Sequence, residues 1–332
     1  MRYFCEHRLY VFGTFRSREV GHSWPIINAE SSLYCAAMEK QNLLQIWWLA
    51  IRPRTLPAAA SGVVMGSALA WHDGLFNFWP ALAALFVALL LQIGSNVAND
   101  VFDFERGADT AERQGPLRVT QAGLLTPAQV KRGMQIIFFL AALCGLYLVS
   151  LRGWIVVWIG VAAIVSAIAY TGGPYPLGYY GLGDLFVFVF FGLAAVAGTY
   201  YVQVGSVSAA AWWMSVPVGL IITAILVVNN LRDLENDRKA GKHTLAVRLG
   251  EKATKTEYVL CMGIAYLLLP VLVILKLVPV ASLLAWLSLP VAIKTLRIVF
   301  TQTGRPLNAA LAGTGQTALL YSVLFWLGML LL

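Results

Sequence analysis

Long apolar runs alternate with short polar segments along most of this chain. The runs start near Leu56, Phe78, Gly133, Trp154, Gly183, Ala211, Tyr258, Val280 and Thr314. Each approaches the roughly 17 to 25 residues that a helix needs to cross a bilayer. The pattern predicts an all-α fold, a polytopic membrane bundle of nine transmembrane helices. The first run is short and rich in Ala and Gly. Pro270 and Pro290 fall in the seventh and eighth runs and predict kinks there, because proline removes a helical hydrogen bond.

The polar segments predict the orientation. Lys and Arg gather ahead of the first run, between the second and third, between the sixth and seventh, and between the eighth and ninth. Of the 24 basic residues only Arg152 and Lys276 fall on the other side. Cytoplasmic loops carry the excess of Lys and Arg, so the N-terminus is expected in the cytoplasm. Composition agrees: 12% of residues are charged and 59% hydrophobic, against about 25% charged in a soluble domain. The net charge of +8 is then orientation charge beside anionic lipid and calls for no nucleic acid. Residues 1–37 lack the continuous apolar core of a signal peptide and read as a disordered extension, with a natural-looking start at Met38. Residues 38–332 read as one membrane domain. Cys5, Cys35, Cys144 and Cys261 have neither metal-type nor disulfide-type spacing and read as free thiols.

Two of the inner polar segments are acidic where charge is least expected. "NVANDVFDFERGAD" (Asn96 to Asp109) ends the second run, and "NNLRDLENDRKAGKHT" (Asn229 to Thr244) ends the sixth. Asn99 and Asp103 are one helical turn apart; Asn229, Asp233 and Asp237 repeat the step. Residues four apart share a helix face, so each segment presents a column of oxygens at the end of a membrane helix. An acid within a membrane costs roughly 2.5–3.5 kcal/mol at mid-bilayer and less near the interface. Mg²⁺ prefers oxygen ligands and commonly binds through one or two carboxylates plus substrate phosphates. Two such columns face to face would hold a diphosphate through Mg²⁺. Lys242 and Arg118, beside glycine and proline, are candidate diphosphate contacts, with Arg238 among the other basic residues nearby. A third inner segment, "YTGGPYPLGYYGLGD" (Tyr170 to Asp184), carries no Lys or Arg. Its Asp184 opens an apolar run, an expensive place for an idle acid, and Tyr170, Tyr175, Tyr179 and Tyr180 offer ring faces to a cation. Arg52 and Arg54 read either as contacts to an aromatic carboxylate or as interfacial anchors. Acids lining a divalent-cation transport path are the rival reading, but such acids would lie deep within spans. The pattern of the CDP-alcohol phosphotransferases is absent.

Four segments together resemble the UbiA superfamily of intramembrane prenyltransferases: "IRPRTLPAAASGVVMGSALAW", "SNVANDVFDFERGADTAERQGPLR", "YTGGPYPLGYYGLGD" and "NNLRDLENDRKAGKHTLAVRLG". Within it the chain is most similar to the menaquinone branch, whose acceptor is 1,4-dihydroxy-2-naphthoate. The resemblance implies nine helices around a central cavity in the cell membrane, with the site facing the cytoplasm. It implies Mg²⁺ and a polyprenyl diphosphate held by two acidic motifs. By position the metal set is Asn99, Asp100, Asp103, Asn229, Asp233 and Asp237. Asp103, Asp233, Asp237 and Lys242 are the implied catalytic groups; Asn99, Arg118, Tyr170, Asp184, Asn229 and Arg238 are the implied substrate contacts. Where the superfamily often carries further acids, this chain has Gly107 and Gly241, and the next acid in the first motif is Asp109. Another aromatic acceptor, such as 4-hydroxybenzoate, stays open within the same class.

Overall fold

The structure is a computed structural model that describes residues 42–108 and 114–331. The expected extension at 1–37, and Asp109 and Arg113, lie outside the described residues. All regular structure within them is helical: α1 (Leu43–Ile51), α2 (Leu56–His72), α3 (Phe78–Glu105), α4 (Pro127–Arg152) and α5 (Trp154–Ala169). There follow α6 (Gly183–Val204), α7 (Ala209–Lys239), α8 (Leu245–Ile274), α9 (Val280–Thr301) and α10 (Leu307–Leu330). Seven of these, α3, α4 and α6 to α10, are long and apolar enough to cross a membrane. The protein is thus a multi-pass membrane protein. The other two expected crossings also have helices, but shorter ones. α2 has 17 residues, many of them Ala, Gly or Ser, and α5 has 16.

The backbone irregularities of these helices do not fall on the prolines themselves. Pro290 stands at the start of the α-helical half of α9, after a 3₁₀ stretch over Val280–Ser288. There its missing N–H has no intrahelical partner to lose. The residue with non-helical angles inside α8 is Gly250, not Pro270. A third irregularity is a π-helical stretch in α6, Phe188–Ala197. It packs closely on two neighbours through small residues. Gly62 and Gly66 of α2 face Ala195 and Val196, and a Cβ on Gly192 would lie 2.7 Å from Gly219 Cα of α7.

Three apolar cores result, of which two are large, the third being a small cluster around Val63, Ala84, Leu148 and Val202. One large core joins α2 with α6 to α10 through residues such as Met65, Met214, Ile221, Leu269, Leu307 and Phe325. The other joins α1, α3 and α4 to the segment after the first acidic loop, through Ile46, Val97, Val101, Val119, Val130 and Phe138. Between them lies a large cavity.

Candidate active site

The cavity has a volume of about 760 Å³. Away from the acidic ends it is walled by small or apolar residues such as Ala88, Ala141, Gly145, Gly160, Phe190 and Ala194. At the acidic ends of α3 and α7 its lining turns polar, with Asn99, Asp103, Arg118, Asn229, Asp233, Asp237 and Lys242.

Local sequence explains how the two acidic ends are built alike. α3 stops at Arg106 and α7 at Ala240, and the next residue in each case is a glycine with positive φ, Gly107 (+67°) and Gly241 (+70°). Glycine takes this left-handed conformation without a Cβ penalty. Each end closes in the same double hydrogen bond: Gly107 N to Phe104 O with Ala108 N to Asp103 O, and Gly241 N to Arg238 O with Lys242 N to Asp237 O. This is the Schellman arrangement. It accounts for glycine at both positions, since a side chain there would strain the turn. It also folds Lys242 back over its own helix end.

The consequence is convergence. Lys242 Nζ lies 3.5 Å from Asp237 Oδ1 and 3.6 Å from Asp103 Oδ1, so one ammonium bridges two motifs far apart in sequence. Asp103 is also ion-paired with Arg118 and accepts a 2.6 Å hydrogen bond from the Tyr179 hydroxyl. Arg118 donates in addition to the Asn99 carbonyl. The Asn99 carboxamide accepts from Thr171 at 2.9 Å. Lys242 stands 4.5 Å from the centre of the Tyr179 ring, within cation–π range.

The Tyr170–Asp184 loop is clasped from both sides. Arg106, at the end of α3, donates to the carbonyls of Thr171 and Gly173. On the other side His243 N reaches Tyr179 O at 2.7 Å, and Arg248 reaches Tyr180 O at 3.0 Å. The loop needs no cations of its own because its carbonyls receive those of its neighbours. Burial pushes the Tyr170 phenol well above its usual range, with the charges of Asp184, Asp237 and Asp103 adding to the effect. Burial and the Asp103 carboxylate do the same to Tyr179. Both stay neutral donors.

Several expected residues stand elsewhere. Asp100, expected in the metal set, is not among the cavity-lining residues: its oxygens accept from Val119 N (3.1 Å) and Thr120 N (3.0 Å), and Arg52 stands 3.7 Å away. A residue next to Asn99 on a helix cannot share its face. Arg238, expected as a substrate contact, does not line the cavity and pairs with Glu235 on the exposed surface at 2.8 Å. Asp184 does not line the cavity. Its carboxylate oxygens are buried without a partner on another residue, and Tyr170 packs its hydroxyl against the neighbouring Gly183. Tyr175 and Tyr180 stack on each other at 3.8 Å outside the cavity, which leaves Tyr170 and Tyr179 as the cavity-lining members of that set. Arg52 and Arg54 both line it.

The structure adds residues that the sequence did not mark. Asn96 Nδ2 donates to Ile51 O and Thr55 Oγ1, each at 2.9 Å, and Gln92 also reaches Thr55 at 3.0 Å. They fasten the turn carrying Arg52 and Arg54 to α3. The one available signal was their spacing, Gln92, Asn96 and Asp100, a polar row through an apolar helix. Asn308, at the start of α10, also lines the cavity, and nothing in its surroundings in sequence sets it apart.

The carboxylate and carboxamide oxygens of Asn99, Asp103, Asn229, Asp233 and Asp237 on the cavity wall suit a hard divalent cation. Among the described residues no three acids, histidines or cysteines stand close enough to hold an ion alone. That fits an ion whose shell is completed by water and substrate phosphate.

A family model described as "UbiA prenyltransferase family" matches residues 59–312. A 1,4-dihydroxy-2-naphthoate octaprenyltransferase of Escherichia coli is 40% identical, over 86% of this chain and 96% of the relative. A protein of the same name from Haemophilus influenzae is 37% identical, over 87% and 96%. A 2-carboxy-1,4-naphthoquinone phytyltransferase of Synechocystis is 32% identical, over 77% and 82%. Among solved structures, a UbiA homologue from Aeropyrum pernix superposes with a TM-score of 0.62 at 16% identity, over 85% of this chain and 97% of that one. One from Archaeoglobus fulgidus, bound to DMAPP and Mg²⁺, gives 0.59 at 15%, over 86% and 99%. Helical architecture, two acidic helix ends meeting over one cavity, and sequence similarity through most of the length agree: this chain belongs to the UbiA prenyltransferase family.

Proposed function

We propose that this protein transfers a polyprenyl group from a polyprenyl diphosphate to 1,4-dihydroxy-2-naphthoate, releasing diphosphate and CO₂ and giving demethylmenaquinone in its reduced, quinol form. The observation that carries the reading is Lys242, within 3.6 Å of Asp103 and 3.5 Å of Asp237 at the polar end of an otherwise apolar cavity. The relatives named as naphthoate prenyltransferases support the acceptor.

The diphosphate lies among the two acidic ends and the prenyl tail among the apolar walls. Asn99, Asp103, Asn229, Asp233 and Asp237 would hold Mg²⁺. Bound there, Mg²⁺ supplies positive charge to the diphosphate oxygens and so makes diphosphate a better leaving group. Lys242 and Arg118 add fixed cations where negative charge develops, the arrangement that lowers such barriers most. The allylic C–O bond breaks, its electron pair leaving with diphosphate. The prenyl carbon, beside the rings of Tyr170 and Tyr179, bonds to the ring carbon bearing the carboxylate. The ring-to-carboxyl bond then breaks, CO₂ departs and its electron pair restores aromaticity. The enclosed cavity keeps water from the electrophile. Arg52 and Arg54, both on the cavity wall, would receive the acceptor's carboxylate.

In the membrane we infer nine crossings, α2 and α5 included, in the plasma membrane, with the N-terminus and the acidic ends on the cytoplasmic side. The alternation of basic segments supports this orientation. Residues 38–332 form the catalytic domain.

The test uses purified protein in detergent, a polyprenyl diphosphate, Mg²⁺ and a panel of aromatic acids, with products identified by mass. The expected outcome is a decarboxylated, prenylated naphthoquinol formed only with Mg²⁺. Prenylated 4-hydroxybenzoate instead would overturn the acceptor. Undiminished turnover by Asp103→Ala and Asp233→Ala would overturn the mechanism.

A further inference from the structure

Arg232 follows Asn229 by three residues and directly precedes Asp233. Adjacent residues on a helix point about 100° apart, so side chains at i and i+1 do not normally meet. Arg232 nevertheless reaches both. Its Nε donates to Asp233 Oδ1 at 2.9 Å, and its Nη2 to Asp233 Oδ2 and, at 2.9 Å, to Asn229 Oδ1. A guanidinium turned back along its own helix needs a fixed point beyond it. Asn308 of α10 provides one, its Oδ1 accepting from Arg232 Nη1 at 2.7 Å. Arg232 is only 5% exposed, so bulk water is poorly placed to substitute. The other half of the same carboxamide, Nδ2, donates to the Gln114 carbonyl at 3.1 Å. Gln114 belongs to the connection that follows the first acidic motif. One side chain therefore joins that connection to the arginine that orients the second motif.

We propose that Asn308 is a positioning residue for the diphosphate site. By anchoring Arg232 it sets the direction in which Asp233 and Asn229 face the cavity, and through Gln114 it couples that setting to the first acidic loop. This rests on the reading above, in which Asp233 and Asn229 hold the Mg²⁺–diphosphate. Asn308 acts through Arg232 and needs no contact with the reacting atoms.

The experiment follows the melting temperature of the full-length protein in detergent as Mg²⁺ is titrated at a fixed concentration of an uncleavable prenyl thiolodiphosphate. Loss of a partner that orients metal ligands typically weakens metal affinity about 10- to 100-fold. Asn308→Ala should raise the half-saturating Mg²⁺ concentration by that order. In turnover it should raise KM for the prenyl diphosphate more than it lowers kcat at saturating Mg²⁺. Asn308→Asp keeps an acceptor for Arg232 but loses the donor to the Gln114 carbonyl, so it should titrate between wild type and Asn308→Ala. If Asn308→Ala does not fold, Asn308→Ser, too short to span both partners, carries the same expectation. Wild-type titration by Asn308→Ala or Asn308→Ser would overturn the proposal, provided Asp233→Asn shifts the curve. If Asp233→Asn also titrates like wild type, the functional reading itself fails.

Discussion

Replacing Lys242 with methionine removes a cation that stands 3.6 Å from Asp103 and 3.5 Å from Asp237 while keeping most of the side-chain volume. At an effective dielectric of about 20, unit charges roughly 3.5 Å apart attract by some 4–5 kcal/mol. Lys242 is 15% exposed, Asp103 3% and Asp237 11%, so solvent screens these pairs little. Desolvation offsets much of the attraction, and removing one partner of a buried pair costs about 3–5 kcal/mol net. Arg118 remains on Asp103, which places this case near the lower end, about 3 kcal/mol. The Lys242→Met variant should therefore melt below wild type in the absence of Mg²⁺. The gap should narrow when Mg²⁺ and a diphosphate analogue are added, because the ion returns positive charge to the same carboxylates. In turnover the loss of a fixed cation at the leaving group should lower kcat by about 10²- to 10³-fold, the scale seen when one preorganised donor is removed. Melting curves with and without Mg²⁺, together with steady-state turnover, decide the matter. An unchanged melting temperature and an unchanged kcat would refute the claim that Lys242 ties the two motifs together.

Tyr179→Phe keeps the ring but loses the bond to Asp103. Hydrogen bonds to charged groups are worth about 1.5–3 kcal/mol, so kcat should fall about tenfold or more in a product assay while the protein remains folded. Asp100→Ala should lower the melting temperature, because two buried backbone N–H groups lose their acceptor at about 1–3 kcal/mol each. Its Mg²⁺ titration should match wild type if Asp100 is not a metal ligand. Gly145→Leu and Gly160→Leu should fold, since an added Cβ meets nothing within 4 Å at either position. Both residues line the cavity, so turnover should fall more for long-chain than for short-chain prenyl diphosphates, read as products by mass. Gly192→Leu should instead prevent recovery of folded protein, because its Cβ would lie 2.7 Å from Gly219 Cα.

The expected site residues that line the cavity and those that do not differ in a physical way. Asn99 and Asp103, or Asn229, Asp233 and Asp237, share a helix face through local periodicity alone, and all five face the cavity. Asp100 sits in the same motif but one residue off that face, and a linear motif does not record which face turns inward. Arg238 and Lys242 are both basic neighbours of one acidic column, and the glycine beside Lys242 already favoured it as the diphosphate contact. The positive φ at Gly241 separates them, turning Lys242 back to the cavity while Arg238 stays on the outside of α7. Asp184 was marked by its cost in an apolar run, which is a sound warning of something unusual but carries no direction.

Hydrophobic run lengths and the alternation of basic segments are one-dimensional quantities, because the bilayer imposes a fixed thickness and the surface charge a fixed sign. The sequence alone therefore determined that this is a helical membrane protein with oxygen-rich ends on α3 and α7. Which side chains meet across those ends depends on how the helices pack and where each backbone turns. Only the tertiary structure decided that Lys242 spans Asp103 and Asp237, that Asp100 serves a loop, and that Asn308 from α10 reaches Arg232. Such contacts join residues tens to hundreds of positions apart, and no local propensity encodes them.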